Sequence, residues 1–132
     1  MGRITKKQRL EVYQKFDGHC AYCGREIKLQ DMQVDHIIPK NRGCYSFRGE
    51  TKHGADDMDN YNPSCRSCNF RKGMYSIEQF REEIKRQAKT ELQRFQSRMS
   101  VAYGLIEPHL EREVKFYFEQ YGKEHIASNS KS

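Results

Sequence analysis

The sequence lacks any run of apolar residues long enough to span a bilayer, and no apolar segment of the secretory type follows its basic N-terminus. We therefore expect a cytoplasmic protein that is not secreted and does not bind membranes. Apolar residues are also scarce, at 36% of the 132 residues, and the mean hydropathy is −1.02. A small domain with so little apolar material usually needs a cross-link to stabilise its core.

Basic residues outnumber acidic residues mainly in the first part of the chain. Residues 1–77 contain 14 Lys and Arg against 9 Asp and Glu, a net charge of +5. Residues 78–132 contain 10 against 9, a net charge of +1. A basic region attracts polyanions, of which nucleic acid is the commonest in cells. The charge alone is weak evidence, but it favours a nucleic-acid partner for the first part.

Four of the five cysteines form two C-x-x-C pairs, Cys20 with Cys23 and Cys65 with Cys68, separated by 41 residues. Two such pairs of thiolates complete a closed tetrahedral zinc site. Disulfides and a redox dithiol are the alternatives, but nothing indicates secretion and no βαβ pattern is present. The spacing therefore predicts structural Zn²⁺ and leaves Cys44 as an additional thiol.

The apolar periodicity predicts a mostly helical chain with one strand. The predicted helices cover 6–16, 63–72 and 77–99, with a further helix after Pro108, and the predicted strand runs from Met32 to Pro39. Residues 40–59 show no periodicity, and we expect them to form a loop. The predicted domains are a core over 1–76, a helical extension over 77–126 and a disordered tail over 127–132.

A few polar residues near the cysteines are suited to hydrolytic chemistry. A neutral imidazole such as His36 serves as a general base near neutral pH. The oxygens of Asp35 and Asn69 are hard donors that suit Mg²⁺ or Mn²⁺. Asp35 and His36 are neighbours on the predicted strand, so a bend is needed before both point into one site. Asn69 shares a helix face with the second cysteine pair, which displays its amide beside the zinc site.

Four short motifs follow one another along the chain: Cys20-Ala-Tyr-Cys23-Gly24, Val34-Asp35-His36-Ile37-Ile38-Pro39, Asp59-Asn60-Tyr61 and Cys65-Arg-Ser-Cys68-Asn69-Phe-Arg-Lys72-Gly73. In this order they resemble the HNH endonuclease family, over about residues 10–80. The resemblance implies an α+β fold with a small ββα-metal (HNH, treble-clef-like) core. A four-cysteine zinc site would cross-link this core. An N-terminal helix and a C-terminal helical extension would flank the core.

The resemblance also implies a role for each polar residue. Asp35 and Asn69 would hold a catalytic Mg²⁺ or Mn²⁺. His36 would activate water, and Asn60 would link the two strands and orient His36. Because asparagine occupies position 69, this sequence is the H-N-N variant of the motif, which favours a hard metal ion.

The implied activity is metal-dependent hydrolysis or nicking of DNA, with double-stranded DNA as the expected substrate. The residues expected to contact phosphates are Arg42, Arg66, Arg71 and Lys72. One alternative is a zinc-stapled protein without catalytic activity that binds nucleic acid or acts as an adaptor. The helical extension could serve a protein partner or a homodimer in either case.

Overall fold

The computed structural model describes residues 4–39 and 56–121, together with the backbone of two short strands at 45–47 and 50–52. These residues fall into two compact units. The first contains the chain up to Ile77 and the segment from Lys115 onward, and the second contains Glu78–Val114. Over the described residues, no helix combines the length and the apolar character needed to cross a bilayer.

The first unit begins with helix α1, Lys6–Gln14. Thr5 starts it with a capping box, because its hydroxyl accepts from the Gln8 amide at 3.1 Å and the Gln8 side chain accepts from the Thr5 amide at 3.0 Å. The helix ends at Gln14, earlier than predicted, and residues 15–18 form turns in which Asp17 has a positive φ of 52°. Its buried Val12 packs with Met32 and Tyr61 in a small apolar cluster.

A two-stranded antiparallel sheet forms the centre of this unit. Strand β1, Gln33–His36, pairs with strand β4, Tyr61–Ser64, so that His36 lies opposite Tyr61. In the sequence between β1 and β4, strands β2 (Tyr45–Phe47) and β3 (Glu50–Lys52) form a separate antiparallel pair. The expectation of a plain loop over 40–59 is therefore wrong, because three-residue strands are too short to show a periodic pattern.

Helix α2, Arg66–Lys72, follows β4 directly and completes the ββα order. The predicted helix start at Asn62 and Pro63 is wrong, because both residues belong to β4. A two-stranded sheet has only edge strands, and these tolerate a proline. The Pro63 carbonyl accepts from the Ala21 amide at 2.8 Å. The predicted helix end is correct, since Gly73 closes α2 with a φ of 49°.

The second unit contains most of helix α3, Ile77–Leu92, and helix α4, Phe95–Ala102. The single helix predicted over 77–99 is interrupted where Arg94 adopts an extended conformation. No glycine or proline marks this break, and the apolar pattern continues through it. Residues 105–116 form turns and extended chain instead of the helix predicted after Pro108. Only a short helical segment at 117–121 remains.

The segment from Lys115 returns to the first unit and contacts the turn that carries Cys20 and Cys23. The Tyr117 amide donates to the Tyr22 carbonyl at 3.1 Å, and the Phe118 amide donates to the Ala21 carbonyl at 2.7 Å. Gly24 has a φ of 79°, and a Cβ there would lie 2.9 Å from the Tyr117 ring. The predicted extension over 77–126 thus coincides only partly with the second unit. The tail over 127–132 lies outside the described residues.

These elements confirm the α+β class. In the first unit, helix α1 contacts β4 and helix α2 contacts β1, and the ββα order of β1, β4 and α2 is the one that the resemblance implied.

Candidate active site

The four cysteines of the two C-x-x-C pairs lie together, and their sulfur atoms are all within 4.8 Å of one another. The Sγ atoms of Cys23 and Cys65 are 3.8 Å apart. Sulfurs around a tetrahedral zinc ion, with Zn–S bonds of about 2.3 Å, are also separated by about 3.8 Å. The cluster therefore fits a closed tetrahedral metal site. A hydrogen bond from the Cys68 thiol is the main reason that the pKa of Cys20 falls to about 4, which favours its thiolate form.

Asp35, His36 and Asn69 line one cleft of about 250 Å³. Asp35 and His36 end β1, where the chain bends at residues 37 and 38, and Asn69 lies in the middle of α2. The structure thus brings together a carboxylate, an imidazole and an amide that are up to 34 positions apart in the sequence. The Asn69 side chain makes no hydrogen bond with the residues that the structure describes, so its oxygen is available to a ligand.

The His36 ring is held by two neighbours. Its Nε2 lies 2.9 Å from an Asp56 carboxylate oxygen, and the His36 side chain is 25% exposed. The ring also meets the edge of Tyr61, with centroids 5.2 Å apart and planes at 88°. When Nε2–H donates to Asp56, the lone pair on Nδ1 is available to accept a proton. Sequence reasoning missed Asp56, because a carboxylate in an unpatterned segment gives no signal.

Asn60 ties the turn after His36 to the start of β4. Its side-chain amide donates to the Ile38 carbonyl at 3.0 Å, and its side-chain oxygen accepts from the Ile38 amide at 2.9 Å. The Asn60 carbonyl also accepts from the Ile37 amide at 2.9 Å. These bonds fix the backbone immediately after His36.

Asp35 belongs to a buried polar network. Its Oδ2 accepts from the Tyr22 hydroxyl at 2.5 Å and lies 3.1 Å from the Lys72 ammonium. The Lys72 ammonium also donates to the His36 carbonyl at 2.8 Å. Asp35 is 5% exposed and Lys72 is fully buried. Burial raises the pKa of Asp35 and lowers the pKa of Lys72, and the attraction between the two charges opposes both shifts.

This network changes the role expected for Lys72. A lysine that grips phosphate must reach solvent, whereas the Lys72 side chain is enclosed and paired with Asp35. The structure therefore encloses Lys72 instead of presenting its ammonium to a phosphate. Arg66 and Arg71 are exposed on α2 and remain available for such contacts. Arg42 lies outside the described residues, as do Cys44 and His53.

These features together define a ββα-metal domain. A two-stranded sheet leads into a helix, four thiols lie together, and one cleft holds a carboxylate, an imidazole and an amide. Residues 20–74 match the family model described as HNH endonuclease. This part of the chain is therefore similar to HNH endonuclease domains, as the resemblance implied.

Two further comparisons accompany this match. The crystal structure of the Type II-C Cas9 enzyme from Actinomyces naeslundii is similar to this chain, with a TM-score of 0.49 and 24% sequence identity. The similarity covers 63% of this chain, which spans 9% of that enzyme. Among curated proteins, none matches this sequence.

Replacing one thiol tests the metal site. We expect Cys68→Ser to lower the bound zinc from one ion per chain to none and to lower the unfolding temperature sharply. Metal binding at such sites contributes on the order of 10 kcal/mol, as much as the whole net stability of a typical domain. Elemental analysis and thermal unfolding measure both effects. Ser67→Ala, at an exposed position between the two cysteines, should change neither, and zinc retained by Cys68→Ser would contradict the assignment.

Removing the Lys72 charge tests the buried network. Lys72→Met leaves the Asp35 carboxylate buried without its cation, and breaking such a pair costs about 3–5 kcal/mol of unfolding free energy. Urea unfolding of the zinc-loaded protein measures this loss. The matched control is Arg71→Met, at the neighbouring exposed position, which should stay within about 0.5 kcal/mol of the wild type. Equal stabilities of the two variants would show that the ion pair is not important for folding.

Proposed function

We propose that this protein is a metal-dependent endonuclease that hydrolyses phosphodiester bonds of DNA in the cleft formed by Asp35, His36 and Asn69. The observation that carries the proposal is the convergence of these three side chains within the segment that matches the HNH endonuclease family. A protein that only binds nucleic acid has no need of a carboxylate, an imidazole and an amide in one cleft.

His36 is the proposed general base. A neutral imidazole takes a proton from water near neutral pH, and the Nε2 contact with Asp56 favours the tautomer in which Nδ1 accepts that proton. Asp56 and the Tyr61 ring hold the imidazole in place. Asn60 fixes the backbone that follows His36 and so helps to orient the base.

Asp35 and Asn69 are the proposed ligands of a divalent metal ion. One carboxylate and one amide oxygen, with space for water, make a donor set that suits Mg²⁺ or Mn²⁺. Such an ion, when bound, stabilises the charge that develops on the phosphate and on the leaving 3′ oxygen. Tyr22 and Lys72 both contact Asp35 Oδ2 and so fix the orientation of its carboxylate.

The basic side chains Arg66 and Arg71 on α2 are the proposed contacts to the DNA backbone. Both are exposed, and both lie within three residues of Asn69. A role of the helical extension in a homodimer or with a protein partner stays a prediction, as does the cytoplasmic location.

Relaxation of supercoiled plasmid tests the proposed activity. Zinc-loaded wild-type protein should produce nicked or linear DNA with added Mg²⁺ or Mn²⁺, and none when these ions are omitted. Loss of a general base typically lowers a rate by about 10²–10⁴-fold, so we expect His36→Ala to be inactive in the same assay. The matched control is His109→Ala, which replaces another partly exposed histidine that lies near a carboxylate, and it should cut like the wild type.

Two results would overturn the proposed function. The first is cleavage by His36→Ala at the wild-type rate. The second is the absence of cleavage by wild-type protein with its zinc bound and Mg²⁺ or Mn²⁺ present, which would favour the binding protein without catalytic activity.

A further inference from the structure

Phe70 has the most exposed side chain among the large apolar residues that the structure describes. It exposes 83% of its surface and lies directly after Asn69 on α2. Burying a phenylalanine is favourable, yet Phe70 makes no ring contact with any aromatic residue that the structure describes. The packing of the described chain therefore gives no reason for an aromatic residue at this position.

The surroundings of Phe70 point to nucleic acid. Arg66 and Arg71, on the same short helix, are exposed and positively charged. Met74 is 50% exposed and lines the cleft that also contains Asp35 and His36. Arg66 lies four residues before Phe70 on α2, so an exposed cation and the exposed ring share one face of the helix.

We infer that Phe70 is a stacking platform for an unpaired base of the DNA strand that is cut. Aromatic faces flanked by cations are the combination that binds single-stranded nucleic acid, because the ring stacks on a base while the cations neutralise phosphates. Bases inside an intact duplex are already stacked on one another and offer no free face. Phe70 therefore selects DNA with an unpaired base.

This inference rests on the proposed function and narrows its substrate. The sequence predicts double-stranded DNA in general, whereas Phe70 favours a single strand or a duplex that contains an unpaired base.

Binding measurements on a protein that cannot cut test the inference. The background is the full-length, zinc-loaded His36→Ala variant in Mg²⁺ at one fixed salt concentration, since phosphate contacts depend strongly on salt. Fluorescence anisotropy gives the dissociation constants for three labelled DNAs of one sequence: the single strand, the perfect duplex and a duplex with one unpaired internal base. We expect the single strand and the duplex with the unpaired base to bind more tightly than the perfect duplex.

Four substitutions in this background separate stacking from other contacts. Phe70→Ala should weaken binding of the single strand and of the unpaired base by about tenfold and leave the perfect duplex nearly unchanged. Phe70→Tyr should bind like the parent, because its ring still stacks. Phe70→Leu should bind as weakly as Phe70→Ala, because it is apolar but has no aromatic face. The control Phe95→Ala removes another phenylalanine, 67% exposed in the second unit, and should have no effect.

Three results would overturn the inference. Parent-like binding by Phe70→Ala would show that the ring makes no contact. Parent-like binding by Phe70→Leu would indicate an apolar wedge instead of stacking. Equal weakening for all three DNAs would indicate a general contact without selection. These three results are distinguishable from failure of the proposed function, because that failure would be the absence of plasmid cleavage by the wild-type protein.

Discussion

The four-thiol cluster is the constraint on which the other contacts of the first unit depend. It joins the turn at Cys20 and Cys23 to the start of α2, across 41 intervening residues. A metal ion in this cluster fixes where α2 begins relative to that turn. Asn69 and Lys72 follow on the same helix, so the cluster also determines how these two side chains approach β1.

A chain of polar contacts connects the cluster with the cleft. Tyr22 lies between the first two cysteines, and its hydroxyl donates to Asp35, which pairs with Lys72 on α2. The path therefore begins at one C-x-x-C pair and ends on the helix that carries the other. The segment from Lys115 packs on the outside of this path, where the buried Phe116 ring meets the Tyr22 ring edge-on at 5.5 Å. Because both ends of the path are anchored, the carboxylate of Asp35 is held in one orientation.

The sequence contained enough information to predict the four-cysteine cluster, helix α1, the first strand and the residue at which α2 ends. Those features have strong local signals, such as paired cysteines and a glycine after the last helical residue. Strand β4 was missed because Asn62 and Pro63 have the local chemistry of a helix start, while pairing with β1 determines their conformation. A local sequence pattern carries no information about such a long-range contact.

Some features of the candidate site could be predicted from local motifs, and others could not. Asp35, His36 and Asn69 were predicted by their motifs, and the structure places them in one cleft. The burial of Lys72 could not be predicted, because a lysine near the end of a basic helix is usually solvated. Its burial depends on Asp35, 37 positions away. The contact of Asp56 with His36 also joins distant residues, and the residues around Asp56 show no pattern that suggests it.

The proposed mechanism requires a divalent metal ion in the cleft of Asp35, His36 and Asn69, separate from the zinc ion expected in the thiol cluster. Electron paramagnetic resonance during titration of zinc-loaded protein with Mn²⁺ tests it most directly. We expect one bound Mn²⁺ per wild-type chain and an affinity at least about tenfold lower in Asn69→Ala, with the zinc content unchanged. Equal Mn²⁺ binding by the two proteins would show that Asn69 is not a ligand of this ion.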